Sequence, residues 1–153
     1  MRSIKKRHSP AGEAMFDLIV ETAATFFRIR AAGQRLGAVN AWGGGTWGLM
    51  RGLAVGGPQT VPQIARARPV ARQRIQKMVN ELAEAGLVEF VDNPGHKRSK
   101  LVSLTAKGSA KYGEITERIL DLADAMARDM SERDLKSAVA VLRRLRGKLE
   151  RNR

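Results

Sequence analysis

Positive charge is concentrated between Arg66 and Lys77, where five residues are Lys or Arg and none is acidic. Guanidinium and ammonium groups bind phosphate oxygens, so charge clustered in this way is typical of a surface that contacts a polyanion. Gln73 and Gln76 lie in the same segment, and a Gln amide pairs with the edge of adenine as Lys and Arg pair with guanine. These residue types favour recognition of a nucleic acid over covalent chemistry.

The composition of the whole chain supports this interpretation. The 153 residues include 28 Lys and Arg against 15 Asp and Glu, a formal net charge of +13. Such an excess favours a polyanionic partner over solubility alone. The apolar fraction of 43% is normal for a globular protein. We therefore predict one globular domain over residues 1–153, long enough to bury a core.

Catalytic and metal-binding constellations are scarce in the sequence. The histidines are His8 and His96, and there is no cysteine, which excludes a disulfide framework and a thiolate zinc site. Asp121 and Asp124 lie at helical spacing among alanines, where solvated surface is the better interpretation. The run 43–45 lacks the strand and the lysine of a phosphate-binding glycine loop. We therefore expect no enzymatic activity, no cofactor and no metal.

The cellular location follows from two further features. The N-terminal segment is basic, but no apolar stretch or cleavage site follows it, so it does not resemble a secretory signal. No apolar run reaches the roughly 18 residues that span a bilayer. We predict a cytoplasmic protein with no membrane partner.

A helix-turn-helix positions the cationic segment. Residues 60–63, Thr-Val-Pro-Gln, have the form of a capping box and predict a helix to about Ala67. Arg68 and Pro69 predict a turn, and a second helix is expected over 71–85, ended by Gly86. Its apolar residues share one face, opposite Gln73 and Lys77; they are Ile75, Met78, Val79 and Leu82.

A two-stranded ribbon is expected after this helix. Segments 87–91 and 100–104 are rich in Val and Leu, and the turn-forming residues 92–95 lie between them. The tip carries four basic or potentially basic residues, which favours contact with a phosphate backbone; they are His96, Lys97, Arg98 and Lys100.

Helices are predicted on both sides of this module, with apolar residues at spacings of three and four. The first is expected over 11–36, and a short one, capped by Thr46, over 47–55, with a flexible glycine-rich loop between them. Thr105 and Ser131 are expected to cap two C-terminal helices. The apolar rows exceed what one small core needs and favour a dimer. The candidate dimerisation residues are Met15, Leu18, Ile19, Phe26, Leu135, Leu142, Leu145 and Leu149.

The chain resembles the multiple antibiotic resistance regulator (MarR) family of bacterial winged-helix transcription factors. The residues that carry the resemblance, in order, are Trp47–Met50 with Leu53, Gly57–Pro58, Thr60–Ala65, Leu82, Gly86–Glu89, Lys100–Thr105 and Lys107–Gly108. The resemblance implies a mainly α fold with a small β-hairpin wing. It also implies dimerisation helices over 11–36 and 106–150 around a DNA-binding winged helix-turn-helix lobe, 46–105.

The same resemblance implies a set of DNA contacts. It places a recognition helix in the major groove and a wing in the neighbouring minor groove. The candidate DNA-binding residues are Thr60, Arg72, Gln73, Arg74, Gln76, Lys77, Lys97, Arg98 and Lys100. The chain departs from the family at four positions: Pro69 replaces a usual Gly and Ala71 a frequent Ser, while Asn93 and Gly95 replace the Asp and Arg of the wing motif.

The sequence therefore predicts a transcriptional regulator, a repressor, that binds double-stranded DNA as a homodimer at an inverted repeat. A small aromatic or lipophilic effector that relieves binding is a further expectation from the resemblance. Trp42, Trp47, Met15 and Phe26 are candidate pocket residues, although plain core is the simpler interpretation. Two alternatives stay open: a sequence-tolerant nucleoid-associated protein, and a helical dimerisation adaptor whose winged helix binds protein.

Overall fold

The computed structural model describes residues 8–35, 45–68 and 70–151. The described elements follow the predicted order, mainly helical with one hairpin, so the predicted fold class is confirmed. Along the chain they are α1 (Pro10–Arg35), α2 (Thr46–Gly56), α3 (Val61–Ala67), α4 (Arg72–Glu84), β1 (Val88–Val91), β2 (Leu101–Leu104), α5 (Ala106–Ala127) and α6 (Glu132–Arg151). No helix among these residues is both long and apolar enough to cross a membrane.

The chain divides into two compact units between Ile115 and Thr116. The first unit contains α1 to α4, the hairpin and the first turns of α5, and the second contains the rest of α5 and α6. The domain boundaries proposed from the sequence stay predictions.

The buried apolar residues lie in the first unit, mainly on α2, α3 and α4. The predicted inner face of α4 is confirmed, because its four apolar residues are all buried. Removal of this much apolar surface from water is the main term that stabilises such a small lobe. The buried set is Leu49, Met50, Leu53, Val61, Ile64, Ile75, Met78, Val79, Leu82, Val88, Val102 and Ile115.

The capping box at the start of α3 is confirmed. The Thr60 hydroxyl accepts a hydrogen bond from the Gln63 amide at 3.3 Å, and the Thr60 amide donates to Gln63 Oε1 at 2.8 Å. Both bonds satisfy amides that have no intrahelical acceptor. Arg68, at the end of α3, is extended with φ −124° and ψ 128°, as expected for a residue before proline.

The hairpin pairs its strands antiparallel, with Val88 opposite Leu104 and Val91 opposite Leu101. A third segment joins it, which the sequence did not reveal. Gln59 and Val102 exchange two backbone hydrogen bonds, of 3.1 and 2.7 Å. The chain just before α3 is therefore tied to the wing, and helix-turn-helix and wing form one body.

The start of α2 differs from the prediction. The helix begins at Thr46 with Gly45 as its N-cap, and no side chain caps it. The Gly45 carbonyl accepts from the Leu49 amide at 2.9 Å and also from Arg68 Nη1 at 3.4 Å. Because this carbonyl starts the helical ladder, Thr46 lies inside the first turn, so its prediction as the cap was wrong.

The other helix ends agree with the predictions, except where they lie outside the described residues. Thr105 caps α5 by accepting from the Gly108 amide at 2.9 Å, and Ser131 Oγ accepts from the Asp134 amide at 3.4 Å. The first helix begins at Pro10 and is described to Arg35. The predicted positions of Leu36, the loop 37–44 and Pro69 lie outside the described residues.

A close backbone approach joins α5 to the chain that follows α4. A Cβ atom added at Gly108 would lie 1.8 Å from the carbonyl oxygen of Leu87. Only glycine leaves room for that carbonyl.

We expect Gly108→Ala to destabilise the fold by about 1–3 kcal/mol or more, because the obstructing atom belongs to the backbone and cannot rotate away. Gly113→Ala in the same helix is the matched control: no atom lies within 4 Å of the added methyl group. The control should be neutral or more stable by up to about 1 kcal/mol, the gain of replacing Gly by Ala in a helix. Urea unfolding of both variants measures the difference, and equal stabilities would contradict the close approach.

Candidate nucleic-acid interface

Helix α4 separates an apolar face from a polar one. Its buried residues anchor it in the lobe, while Arg72, Gln73, Arg74 and Lys77 are exposed. No acidic residue lies in its first turn. The structure therefore brings four of the predicted contact residues together on the outer surface of one helix whose position the core determines.

Gln76 differs from its neighbours. It is half-buried, and its Nε2 donates to Asn80 Oδ1 at 2.9 Å. A base contact by Gln76 would require this bond to be shared or broken, whereas Gln73 lies on the exposed part of the same helix. Among the two glutamines, Gln73 is the better placed for a base edge.

Thr60 is buried, with only 8% of its surface exposed. Its hydroxyl takes part in the capping box and also donates to Gln63 Oε1 at 3.1 Å. The structure thus gives Thr60 a clear role in starting α3, and its assignment as a DNA contact stays a prediction.

The start of α4 has no side-chain cap. Ala71 occupies the N-cap position without a side-chain hydrogen bond, as the departure from the family pattern indicated. Its carbonyl accepts from the Arg74 and Ile75 amides at 3.0 and 3.2 Å. The first-turn amides of α4 and its neighbouring cations together make this helix end electropositive.

The loop 92–100 joins the two strands and carries the cations of the wing. Asn93 Oδ1 accepts from the Gly95 amide at 3.1 Å, and the Asn93 carbonyl accepts from the His96 amide at 3.1 Å. These bonds give the tip a defined turn. The three predicted contacts on it, Lys97, Arg98 and Lys100, are all exposed.

Arg68 has a structural position that the sequence did not reveal. Its side chain lies against α2, where a Cβ atom added at Gly48 would come within 2.2 Å of Nη2. Partial burial lowers the pKa of the Arg68 guanidinium by desolvation. Of the five cations between Arg66 and Lys77, Arg68 therefore packs against the start of α2.

The C-terminal end of α4 closes in a Schellman motif. The amide of Gly86 donates to the Ala83 carbonyl at 2.9 Å, and the amide of Leu87 donates to the Leu82 carbonyl at 2.8 Å. Gly86 has φ +72°, a left-handed conformation that glycine adopts without strain. The predicted stop at Gly86 is confirmed.

Residues at the start of α5 are hydrogen-bonded to the C-terminal end of α4. The Thr105 hydroxyl donates to the Gly86 carbonyl at 2.7 Å while it accepts from the Gly108 amide. Lys107 Nζ donates to the Ala85 carbonyl at 2.8 Å, which also places a cation at the negative end of the α4 dipole. We call these contacts the α4–α5 clamp. The sequence showed the helix cap at Thr105 but not the bonds to Gly86 and Ala85, which join residues about 20 positions apart.

The candidate dimerisation residues lie on helices that bury none of their own residues, α1 and α6. Met15, Leu18 and Leu145 are half-buried. The others are more exposed, from 39% for Leu135 and Leu142 to 63% for Leu149. Ile19 and Phe26 lie between these values.

The candidate pocket residues are not brought together by any described cavity. Trp47 stacks on Tyr112 with ring centroids 6.3 Å apart, Met15 is half-buried and Phe26 is exposed, and Trp42 lies outside the described residues. Residues 8–35, 45–68 and 70–151 contain no group of three His, Asp or Glu side chains arranged to hold a metal ion.

A capped helix, a tight turn, an amphipathic second helix and a hairpin with a cationic tip define a winged helix-turn-helix protein. Comparison with known proteins agrees. A sequence model of the MarR family matches residues 44–99, the whole of this lobe up to the wing tip. The uncharacterized protein Rv2011c of Mycobacterium tuberculosis is 37% identical over 86 residues, which cover 56% of this chain and 60% of that protein.

Solved structures extend the similarity to the flanking helices. The MarR family transcription regulator SP03579 superposes with a TM-score of 0.75 and 25% identity, over 92% of this chain and 95% of its own. Staphylococcus aureus MarR, solved with salicylate and kanamycin, has a TM-score of 0.73 and 18% identity over 92% and 93% of the two chains. The match to the family model over residues 44–99 and the shared fold support a MarR-family winged-helix transcription regulator.

The α4–α5 clamp is testable with one isosteric variant and one that keeps the hydroxyl. Thr105→Val removes the hydroxyl and leaves the Gly86 carbonyl and the Gly108 amide without this partner, at an expected loss of about 1–3 kcal/mol in unfolding free energy. Thr105→Ser keeps the hydroxyl and should recover most of the loss. Hydrogen exchange should also accelerate at the amides of Gly86 and Leu87 in the Val variant alone. If the Val and Ser variants had equal unfolding free energies and equal exchange rates at these amides, the hydroxyl would not stabilise the junction of α4 and α5.

Proposed function

We propose that the protein is a transcriptional repressor that binds double-stranded DNA as a homodimer at an inverted repeat. The observation that carries the proposal is the exposure of Arg72, Gln73, Arg74 and Lys77 on the outer face of α4, whose other face is locked into the core. A helix fixed in this way presents side chains to base edges without a further folding step.

The wing supports a second contact with the same duplex. Lys97, Arg98 and Lys100 extend from a turn of defined conformation, and the strands behind them are tied to the start of α3 through Gln59 and Val102. Phosphate contacts of this kind position a protein on DNA but carry no sequence information. We assign base reading to α4 and backbone binding to the wing.

Dimerisation is supported by the apolar rows on α1 and α6. Phe26 is 55% exposed and Leu149 63% exposed within a single chain, and large apolar side chains at helical spacing favour burial against a partner. Two α4 helices related by a two-fold axis would meet the major groove about one turn, or roughly 10 base pairs, apart. This geometry requires an inverted repeat.

A small aromatic effector is part of the proposal, by analogy with the S. aureus relative that was solved with salicylate. Binding of such a compound would weaken binding to DNA if it favoured a dimer whose α4 helices are wrongly spaced. The α4–α5 clamp supports this coupling, because α5 is bonded directly to the end of α4.

A nucleoid-associated protein with little sequence preference is the second candidate. The observation in its favour is the wing, where Gly95 occupies the position of the family's minor-groove arginine. Without that contact, binding would depend more on phosphates and less on sequence.

The proposal predicts different effects for α4 and for the wing. On a site selected from random DNA, Gln73→Ala should reduce affinity tenfold or more, because a bidentate base contact contributes about 1–3 kcal/mol of discrimination. Binding to scrambled DNA should change little. Lys97→Ala is the control: it should weaken binding to both DNAs alike and flatten the slope of log affinity against log salt by about 0.9 per lost contact. Equal losses on both DNAs for Gln73→Ala would favour the nucleoid-associated alternative.

The dimer is tested by a pair of substitutions on α6. Light scattering of the unmodified protein should give twice the chain mass of 16.8 kDa. Leu142→Lys places a charge in the apolar row and should shift the protein towards monomer or unfolded chain, because the interface would bury an unpaired charge. Ala140→Lys, about 200° away around the same helix, should leave the mass unchanged. A monomeric unmodified protein would overturn both the dimer and the inverted repeat.

A further inference from the structure

A second concentration of positive charge lies on α6, outside the winged lobe. Between Arg143 and Arg151 there are five Lys or Arg residues and one acid, Glu150. This segment has as many cations as the stretch from Arg66 to Lys77, in fewer residues. The proposed function uses α6 only through its apolar row and leaves these cations without a role.

Ion pairs neutralise the first half of α6 but not the second. Lys136 binds Glu132 at 2.5 Å, and Arg133 lies 3.7 Å from Asp134. In the described part of the second half only Arg146 lies within ion-pair distance of an acid, with its Nε 4.0 Å from Glu150 Oε1. Within the part of the chain that the structure describes, four cations of this half have no acidic partner; they are Arg143, Arg144, Lys148 and Arg151.

Compensation of the helix dipole accounts for only part of this charge. The dipole favours cations within the last turn of a helix, where Lys148 and Arg151 lie. Arg143 and Arg144 precede the end of α6 by about two turns and gain little from it. Their charge needs another explanation.

The position of the cations around the helix indicates which kind of anion they fit. Arg144 follows Leu142 by two residues and Arg151 follows Leu149 by two, so each lies about 200° around the helix from that leucine and about 100–120° from Leu145. A helix adsorbed on a membrane buries its apolar face, and these two cations would then point away from the lipid head groups. Their placement therefore favours an anionic partner on the polar side of α6.

The spacing along the helix favours an extended polyanion. Arg144, Lys148 and Arg151 rise along the axis in steps of about 6 and 4.5 Å. A single helix face is convex and offers no cradle for one small anion. Duplex DNA carries one negative charge per roughly 1.7 Å of its axis, so a linear array of cations meets phosphates along its whole length.

We propose that the cationic face of α6, formed by Arg144, Lys148 and Arg151, binds the phosphate backbone of duplex DNA. This contact is independent of sequence and separate from those of α4 and the wing. It adds to the affinity for any duplex and gives one dimer a second place to hold DNA.

The test compares two double variants of the full chain that each remove two cations from α6. Arg144→Gln/Lys148→Gln removes unpaired charges, and Arg133→Gln/Lys136→Gln removes paired ones. Affinity for a duplex of scrambled sequence is measured over a range of salt concentrations. The first variant should flatten the slope of log affinity against log salt by about 0.9 per lost contact, close to two per chain, while the second keeps the parent slope. Circular dichroism and light scattering confirm that both variants keep the helix content and mass of the parent.

Two outcomes would overturn the inference. Equal slopes for parent and first variant would mean that the cations are only solvated. A loss of binding to vesicles containing phosphatidylserine, with no change in the DNA slope, would assign the face to membranes instead. Discrimination between the selected site and scrambled DNA, measured on the parent, tests the proposed regulator separately. A further outcome is that the protein binds all sequences equally, yet loses part of its salt dependence when the α6 cations are removed. That result would contradict the proposed repressor function and support the DNA contact of α6.

Discussion

The structure of the winged lobe depends on one junction, where the end of α4 meets the start of α5. The Thr105 hydroxyl donates to the carbonyl of Gly86, just past the end of α4, and accepts from the amide of Gly108 in the first turn of α5. Gly108 brings the two backbones into contact, and Lys107 completes the junction with a charge-assisted bond to Ala85. These bonds fix the C-terminal end of α4 within the lobe.

The wing is constrained in a similar way, from the opposite side. Gln59 pairs with Val102 in the second strand, and the next residue, Thr60, starts α3 through its capping box. A displacement of the wing must therefore move the start of α3 as well. Since α3 packs on α4 and both bury apolar residues such as Ile64 and Ile75, the hairpin is linked to α4 through α3.

Features set by neighbouring residues were predictable from the sequence. The capping box at Thr60 and Gln63, the stop at Gly86 and the inner face of α4 follow from local hydrogen bonding and helical periodicity. Thr46 shows the limit of such reasoning. Threonine is a good capping residue, but the first helical hydrogen bond of α2 is accepted by the carbonyl of the preceding residue, Gly45. That carbonyl also accepts from Arg68, which is distant in the sequence. The bridge from Gln59 to Val102 and the bond from Lys107 to Ala85 join segments that only tertiary packing brings together. The roles of the exposed side chains depend on a partner molecule, so neither sequence periodicity nor the packing of one chain determines them.

The two faces of α4 also have a consequence for how the protein can change over generations. Substitution of exposed residues that take no part in the core usually alters stability by no more than about 0.5 kcal/mol. Arg72, Gln73, Arg74 and Lys77 are such residues, whereas Ile75 and Val79, between and after them, are fully buried. Copies of the gene are therefore free to diverge at the outer positions while the same inner positions keep the chain folded. A new outer surface of α4 can therefore arise through single substitutions without passing through an unstable intermediate.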